Sequence, residues 1–141
     1  MDYLAYRKKF FIDPTPEARF RFKGTFNATL YYVDFQAAVE FYSRVLGPPA
    51  YVEGEGTRGW PVGDGWLTLL QGKRGNPQNV EIAFELNSVE EAHSLQRAFL
   101  SAGATGPEPA DQLMYRPIRA CPVVDPFGVE IMIFAALLTE K

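Results

Sequence analysis

"VVDPFGVEIMIF", residues 123–134, is the stretch on which the fold turns. Asp125, Pro126 and Gly128 occupy the first, second and fourth places of a type I turn, where those residue types are favoured. "VEIMIFA" after it reads as the last strand of the chain. That strand is strongly apolar and carries one carboxylate, Glu130, on the same face as Met132. Glu130 is therefore a metal ligand, half of an acid–base pair, or a strand residue turned to water.

Upstream, "MYRPIRACPVV" (114–124) is an extended stretch, and "GPEPADQ" a loop. Val89, Ala92, Leu95, Phe99 and Ala102 make one helical stripe, opened by the capping box Ser88–Glu91 and ended by Gly103. Before it, "VEIAFEL" (80–86) alternates as a strand.

The same plan occurs once more, nearer the N-terminus. "FNATLYYV" (26–33) is a strand with Asn27, Thr29, Tyr31 and Val33 on one face. Asp34 is the expected side-chain cap of a helix whose stripe is Ala38, Phe41, Tyr42 and Val45. Gly47 and Pro48–Pro49 end it. The pieces "AYVEG" and "RGWPV", a hairpin signal at Asp64–Gly65 and the return strand "WLTLLQ" (66–71) follow, then the loop "GKRGNPQ" (72–78). The caps Asp34 and Ser88 are offset by 54 residues, and the same offset maps Asn27 onto Glu81 and Tyr31 onto Glu85.

The fold class implied is α+β: tandem βαβββ units forming a curved, partly open mixed-sheet cup, with helices on the outer faces. The boundaries are an N-terminal extension, 1–23, a first unit, 24–78, and a second, 79–141, within one compact domain. In the extension, residues 1–18 are an appendage of mixed charge. From Arg19, Phe20 and Phe22 alternate with Arg19, Arg21 and Lys23 in strand fashion.

The net charge of −3 gives no basis for nucleic-acid binding by the whole chain. The single cysteine, Cys121, excludes an intrachain disulfide and a multi-cysteine zinc site. No apolar run reaches the ~20 residues of a membrane span, and the charged, proline-broken start does not read as a signal peptide. The expected compartment is the cytoplasm.

The stretches "LYYVDFQAAVEFYSRVLG" (30–47), "VEIAFELNSVEEAHSL" (80–95) and "VVDPFGVEIMIF" together resemble the vicinal-oxygen-chelate superfamily, the group of glyoxalase, bleomycin-resistance protein and extradiol dioxygenase. In its metal-dependent members, the resemblance implies, His or Glu ligands sit on the first and last strands of each unit. Here those slots hold Asn27, Glu81, Met132 and a residue near Thr68 or Leu69. No His, Asp or Glu occurs from Gly65 to Val80, and Glu130 lies about 6.6 Å along the strand from Met132. The only histidine, His93, falls inside a helix. The expectation is a member without the usual metal quartet and with no cofactor, an atypical divalent ion held by carboxylates being the exception.

The leading functional expectation is binding of a small organic ligand in the cup by a homodimer whose open sheet edges are covered by its partner. The expected lining is Asn27, Tyr31, Leu69, Arg119, Met132, Trp60 and Trp66, with Tyr51 and Phe127 as further aromatic candidates. Against that stands packing: several of these aromatics belong to a core. Glu81 and Glu130 are the candidate catalytic carboxylates, as base or as ligands of an atypical metal, in an enzyme of lyase, isomerase or dioxygenase type. The bland alternative pairs Glu130 with Arg116 or Arg119. A third expectation is a structural or protein-interaction module that uses the N-terminal arm.

Overall fold

The computed structural model describes residues 2–20, 22 and 27–137. Arg21, Lys23 and Phe26, which carry part of the expected early alternation, lie outside the described residues.

After a short helix α1 (Tyr3–Phe10), the first unit runs β1 (Ala28–Tyr32), α2 (Phe35–Leu46), β2 (Tyr51–Glu53), β3 (Thr57–Val62) and β4 (Gly65–Gln71). The second runs β5 (Glu81–Leu86), α3 (Val89–Ser101), β6 (Ala110–Gln112), β7 (Ile118–Ala120), β8 (Val123–Val124) and β9 (Glu130–Ala136). The sheets share one topology. The first has the order β1-β4-β3-β2, the second β5-β9-β7-β6, with β8 also paired to β9. In each, the strand before the helix lies parallel to the last strand of its unit, and the other pairings are antiparallel. This is the α+β architecture of tandem βαβββ units, with mixed sheets that stay open.

Each helix buries the stripe that its spacing dictates. Phe35, Ala38, Phe41 and Tyr42 of α2 are buried, as are Ala92, Gln96 and Phe99 of α3. Gln96, a polar residue in this stripe, donates through Nε2 to the carbonyls of Pro107 and Pro122 and so satisfies itself. The units meet on their helix-covered faces. Phe41 and Phe99 meet across the seam with tilted rings, centroids 5.7 Å apart, and one apolar cluster runs through both units. Each sheet keeps its other face open.

Three local expectations change. Asp34 stands at the N-terminus of α2 but makes no side-chain cap; its Oδ2 instead accepts from Nδ2 of Asn76, 2.9 Å away. The β3–β4 turn is centred on Gly63–Asp64 rather than Asp64–Gly65, because Gly63 takes the positive φ of 57°. The appendage contains α1, capped by the Asp2 carboxylate and with Arg7, Lys8 and Lys9 at the favourable C-terminal end of its dipole. The Tyr3 hydroxyl donates to the Tyr115 carbonyl, and Phe11 meets the Tyr115 ring edge-on.

Candidate functional site

The open face of the second sheet is built by alternation. Parallel pairing sets Glu81 beside Glu130, Ala83 beside Met132 and Glu85 beside Phe134. Antiparallel pairing adds Ile118 and Ala120 to the same face. The residues between them, Ile82, Phe84, Ile131, Ile133 and Ala135, are buried under α3. A cavity of about 640 Å³ opens over this face. Ala83, Ile118, Met132 and Phe134 form its apolar floor. Gln112, Met114, Tyr115, Arg116, Glu81 and Glu85 form its polar and aromatic walls. Arg116 pairs with Glu85, so the cavity carries a neutralised ion pair at its margin.

Of the residues expected to line one cup, Glu81 and Met132 lie in this cavity, and Glu130 stands beside Glu81 on the same face. Both glutamates are exposed, and neither of the two described ion pairs involves Glu130. Asn27, Tyr31 and Trp66 belong to the first sheet. Tyr31 (57% exposed) and Trp66 (42%) stand on its open face, where Tyr51 meets Trp66 edge-on. Asn27 Oδ1 accepts the Trp66 backbone N–H at 2.8 Å and ties the start of β1 to β4. Among the described residues, those that line the second-sheet cavity all come from the second unit.

Three expected lining residues lie elsewhere. Leu69 is fully buried under the first-unit helix; Thr68 is the residue of that pair that turns to the open face. Trp60 is also core, opposite Leu67, with its indole N–H donating to the Gly47 carbonyl at 2.8 Å. Arg119 pairs in register with Ala135, which is buried, and so points to the helix side. There it meets Asp111 and lies 3.3 Å from His93 Nε2. Arg116, three residues earlier and of opposite parity, is the arginine of the cavity. His93 stays on the helix side, and Phe127 packs against the core. Cys121 is fully buried, and that burial pushes its thiol pKa up although Arg119 pulls it down. It is a filler rather than a nucleophile.

Asp125 does more than hold the turn that its spacing indicates. It is 3% exposed and joins the two units. Its Oδ2 accepts from the hydroxyls of Tyr32 (2.7 Å) and Tyr42 (3.0 Å), both from the first unit. Its Oδ1 accepts from the N–H groups of Phe127 and Val129. Burial pushes the Tyr32 phenol pKa far above its ordinary value, the Tyr42 bond offsetting this in part and the Asp125 charge adding to it. Burial does the same for Tyr42, reinforced by Tyr32 and Asp125. A raised folded-state pKa gives stability that is whole below the unfolded value of 10.0 and is lost as pH rises above it. We expect the denaturation midpoint to fall above pH 10.0, each tyrosine adding about 1.4 kcal/mol per pH unit to the slope. Urea titrations over that range check it; a slope unchanged in Tyr32→Phe/Tyr42→Phe would contradict it.

The glyoxalase/bleomycin resistance protein/dioxygenase superfamily pattern matches residues 25–133 of this sequence. The chain belongs to that superfamily. A glyoxalase/bleomycin resistance protein from Albidiferax ferrireducens T118 superposes with a TM-score of 0.64 at 15% identity, over 79% of this chain and 97% of that one. A family enzyme from Burkholderia phytofirmans PsJN gives 0.63 at 17%, over 79% and 97%. The fosfomycin resistance protein FosX from Mesorhizobium loti gives 0.61 at 17%, over 84% and 96%. At these identities the likeness is one of fold. No curated protein matches the sequence.

Superfamily membership raises the question of whether the residues present suit a metal. The four slots are Asn27, Thr68, Glu81 and Met132, of which Glu81 alone is a carboxylate. The Asn27 oxygen is already engaged by Trp66. Among the described residues no three His, Cys, Asp or Glu side chains are grouped to hold an ion. These residues do not fit the superfamily's transition-metal site. Nor, among the described residues, is any helix long and apolar enough to cross a membrane.

Proposed function

We propose that this superfamily member binds a small organic ligand over the open face of its second sheet, without the usual metal quartet. The observation that carries the reading is the cavity of about 640 Å³ with an apolar floor and a Gln112, Glu85–Arg116 margin. That volume falls in the common range of small-molecule sites, about 300–1,000 Å³, and so does the mix of apolar floor with few polar groups. A flat or extended molecule would lie on Ala83, Met132 and Phe134 and direct a polar group to the margin.

The protein acts as a homodimer in this reading. The exposed Tyr51 and Trp66, in edge-on contact, form an aromatic surface on the first sheet's open face, and a second copy presenting that surface would wall the cavity on its solvent side. The buried free thiol of Cys121 suits the reducing cytoplasm.

Catalysis is a second reading, favoured by one observation: Glu81 and Glu130 are register partners on adjacent strands. Two neighbouring carboxylates can share acid and base duties next to a substrate carbonyl.

A thermal-shift screen over small metabolites and aromatic antibiotics, with and without a chelator, tests the binding reading. A ligand at a hundred times its Kd should stabilise the fold by about 2.7 kcal/mol, chelator or not. No stabilisation by any compound, or stabilisation only with added metal, would contradict it. With a ligand in hand, Glu81→Gln and Glu130→Gln separate the two readings. Binding alone predicts little change in affinity and no product, whereas catalysis predicts product formation that either substitution lowers at least about a hundredfold.

A further inference from the structure

The loop between the two units, Gly72–Asn76, is held more firmly than a connection requires. Gly72 N–H donates to the Tyr32 carbonyl at 2.7 Å, and Val33 N–H to the Gly75 carbonyl at 3.1 Å. Asn76 bonds Asp34 twice, accepting from its backbone N–H and donating to its carboxylate. Gln71 Nε2 lies within hydrogen-bond reach of the carbonyls of Tyr32, Val33 and Gly72. Gly72 is buried so close to β1 that a Cβ there would stand 3.1 Å from the Tyr32 carbonyl carbon and 3.2 Å from that of Tyr31. Any side chain there would require β1 to give by a few tenths of an ångström.

What this clamped backbone presents is charge. Lys73 and Arg74 are adjacent and exposed, and the two described ion pairs involve neither. They line a concavity of about 430 Å³ together with the exposed ring of Tyr31. Among the described residues, the one carboxylate tied to the loop, that of Asp34, is engaged by the Asn76 amide. Fixing the backbone in advance removes the loop's own ordering cost from binding, leaving only the rotamer freedom of the two cationic side chains to be lost.

We propose that Lys73, Arg74 and Tyr31 form an anion subsite for a planar ring bearing a phosphate or carboxylate group. The Arg74 fork takes two oxygens of the anionic group, Lys73 adds a point charge, and the ring lies against Tyr31. The subsite is separate from the second-sheet cavity: among the described residues the two linings have none in common.

Calorimetric titration at low salt with phenyl phosphate, benzoate, inorganic phosphate and phenol tests this. Either ring-bearing anion should bind, more tightly than inorganic phosphate, while neutral phenol should not; the tighter of the two names the anionic group. Lys73→Gln/Arg74→Gln should weaken it about tenfold or more, a loss that charge-assisted hydrogen bonds of ordinary strength account for. Tyr31→Ala should weaken the ring-bearing anions several-fold and leave inorganic phosphate unchanged. Unaltered affinity in the double variant, equal binding of phenol, or no binding of either ring-bearing anion would overturn the assignment. Ala83→Trp, which fills the other cavity, should leave these affinities intact; their loss would place the anion there and overturn the subsite. Failure of the cavity screen with this result positive would refute the binding reading and spare the subsite.

Discussion

Asp125→Ala is expected to destabilise the fold by about 3–5 kcal/mol, as buried donors left without their acceptor cost about 1–3 kcal/mol each. The substitution strips the acceptor from two buried phenols and two backbone N–H groups at once. The Tyr32 and Tyr42 hydroxyls, 3.2 Å apart, keep each other as partners, which holds the loss below the sum over all four donors. A domain of ordinary stability, about 5–15 kcal/mol, would be brought near its threshold. Asp125→Asn keeps the shape and one carbonyl acceptor, so about half that loss is expected. Urea unfolding measures both, as a shift in midpoint with the slope preserved. A loss under about 1 kcal/mol for the alanine variant would show that the Asp125 junction does not hold the units together.

The second large effect concerns the cavity. Ala83 is exposed on β5, the edge strand of the sheet, lies beside Met132 of the floor, and lines the cavity. Ala83→Trp would place an indole in the space the ligand needs. Because the site is open, the fold should change by no more than about 0.5 kcal/mol. Ligand affinity should fall at least about a hundredfold, since the apolar floor and the reach to the margin are blocked together. Calorimetry on the screened ligand checks it. Wild-type affinity in a folded Ala83→Trp protein would move the ligand off this sheet.

Much of the architecture was legible because both units obey simple periods. The helical stripes of Ala38–Phe41–Tyr42 and Ala92–Phe99 are the buried ones, and the helix starts Phe35 and Val89 keep the 54-residue offset. Glu130 and Met132 share the open face, as strand parity requires. Where the pattern carries no period, the reading failed. "WLTLLQ" is apolar on both faces, so nothing local separates buried Leu69 from half-exposed Thr68. In "RGWPV", with glycine and proline flanking Trp60, alternation is silent. Pro117 hid which of Arg116 and Arg119 meets the cavity, and the register with Ala135 decides against Arg119.

Asp125 illustrates a deeper limit. Its turn role is local and was legible. Its binding of Tyr32 and Tyr42 spans 93 and 83 residues and depends on how the two units dock. No spacing within either unit encodes that contact. The arm posed a similar problem, since α1 buries no residue of its own and is held by Tyr115 from the far end of the chain.

The most direct measurement is an amide-spectrum titration of the labelled protein with a ligand found by the screen, in the presence of a chelator. The account predicts that the saturable shifts cluster on Ala83, Arg116, Met132 and Phe134, with no need of added metal. Shifts confined to other surfaces, or absent until a metal ion is supplied, would contradict it.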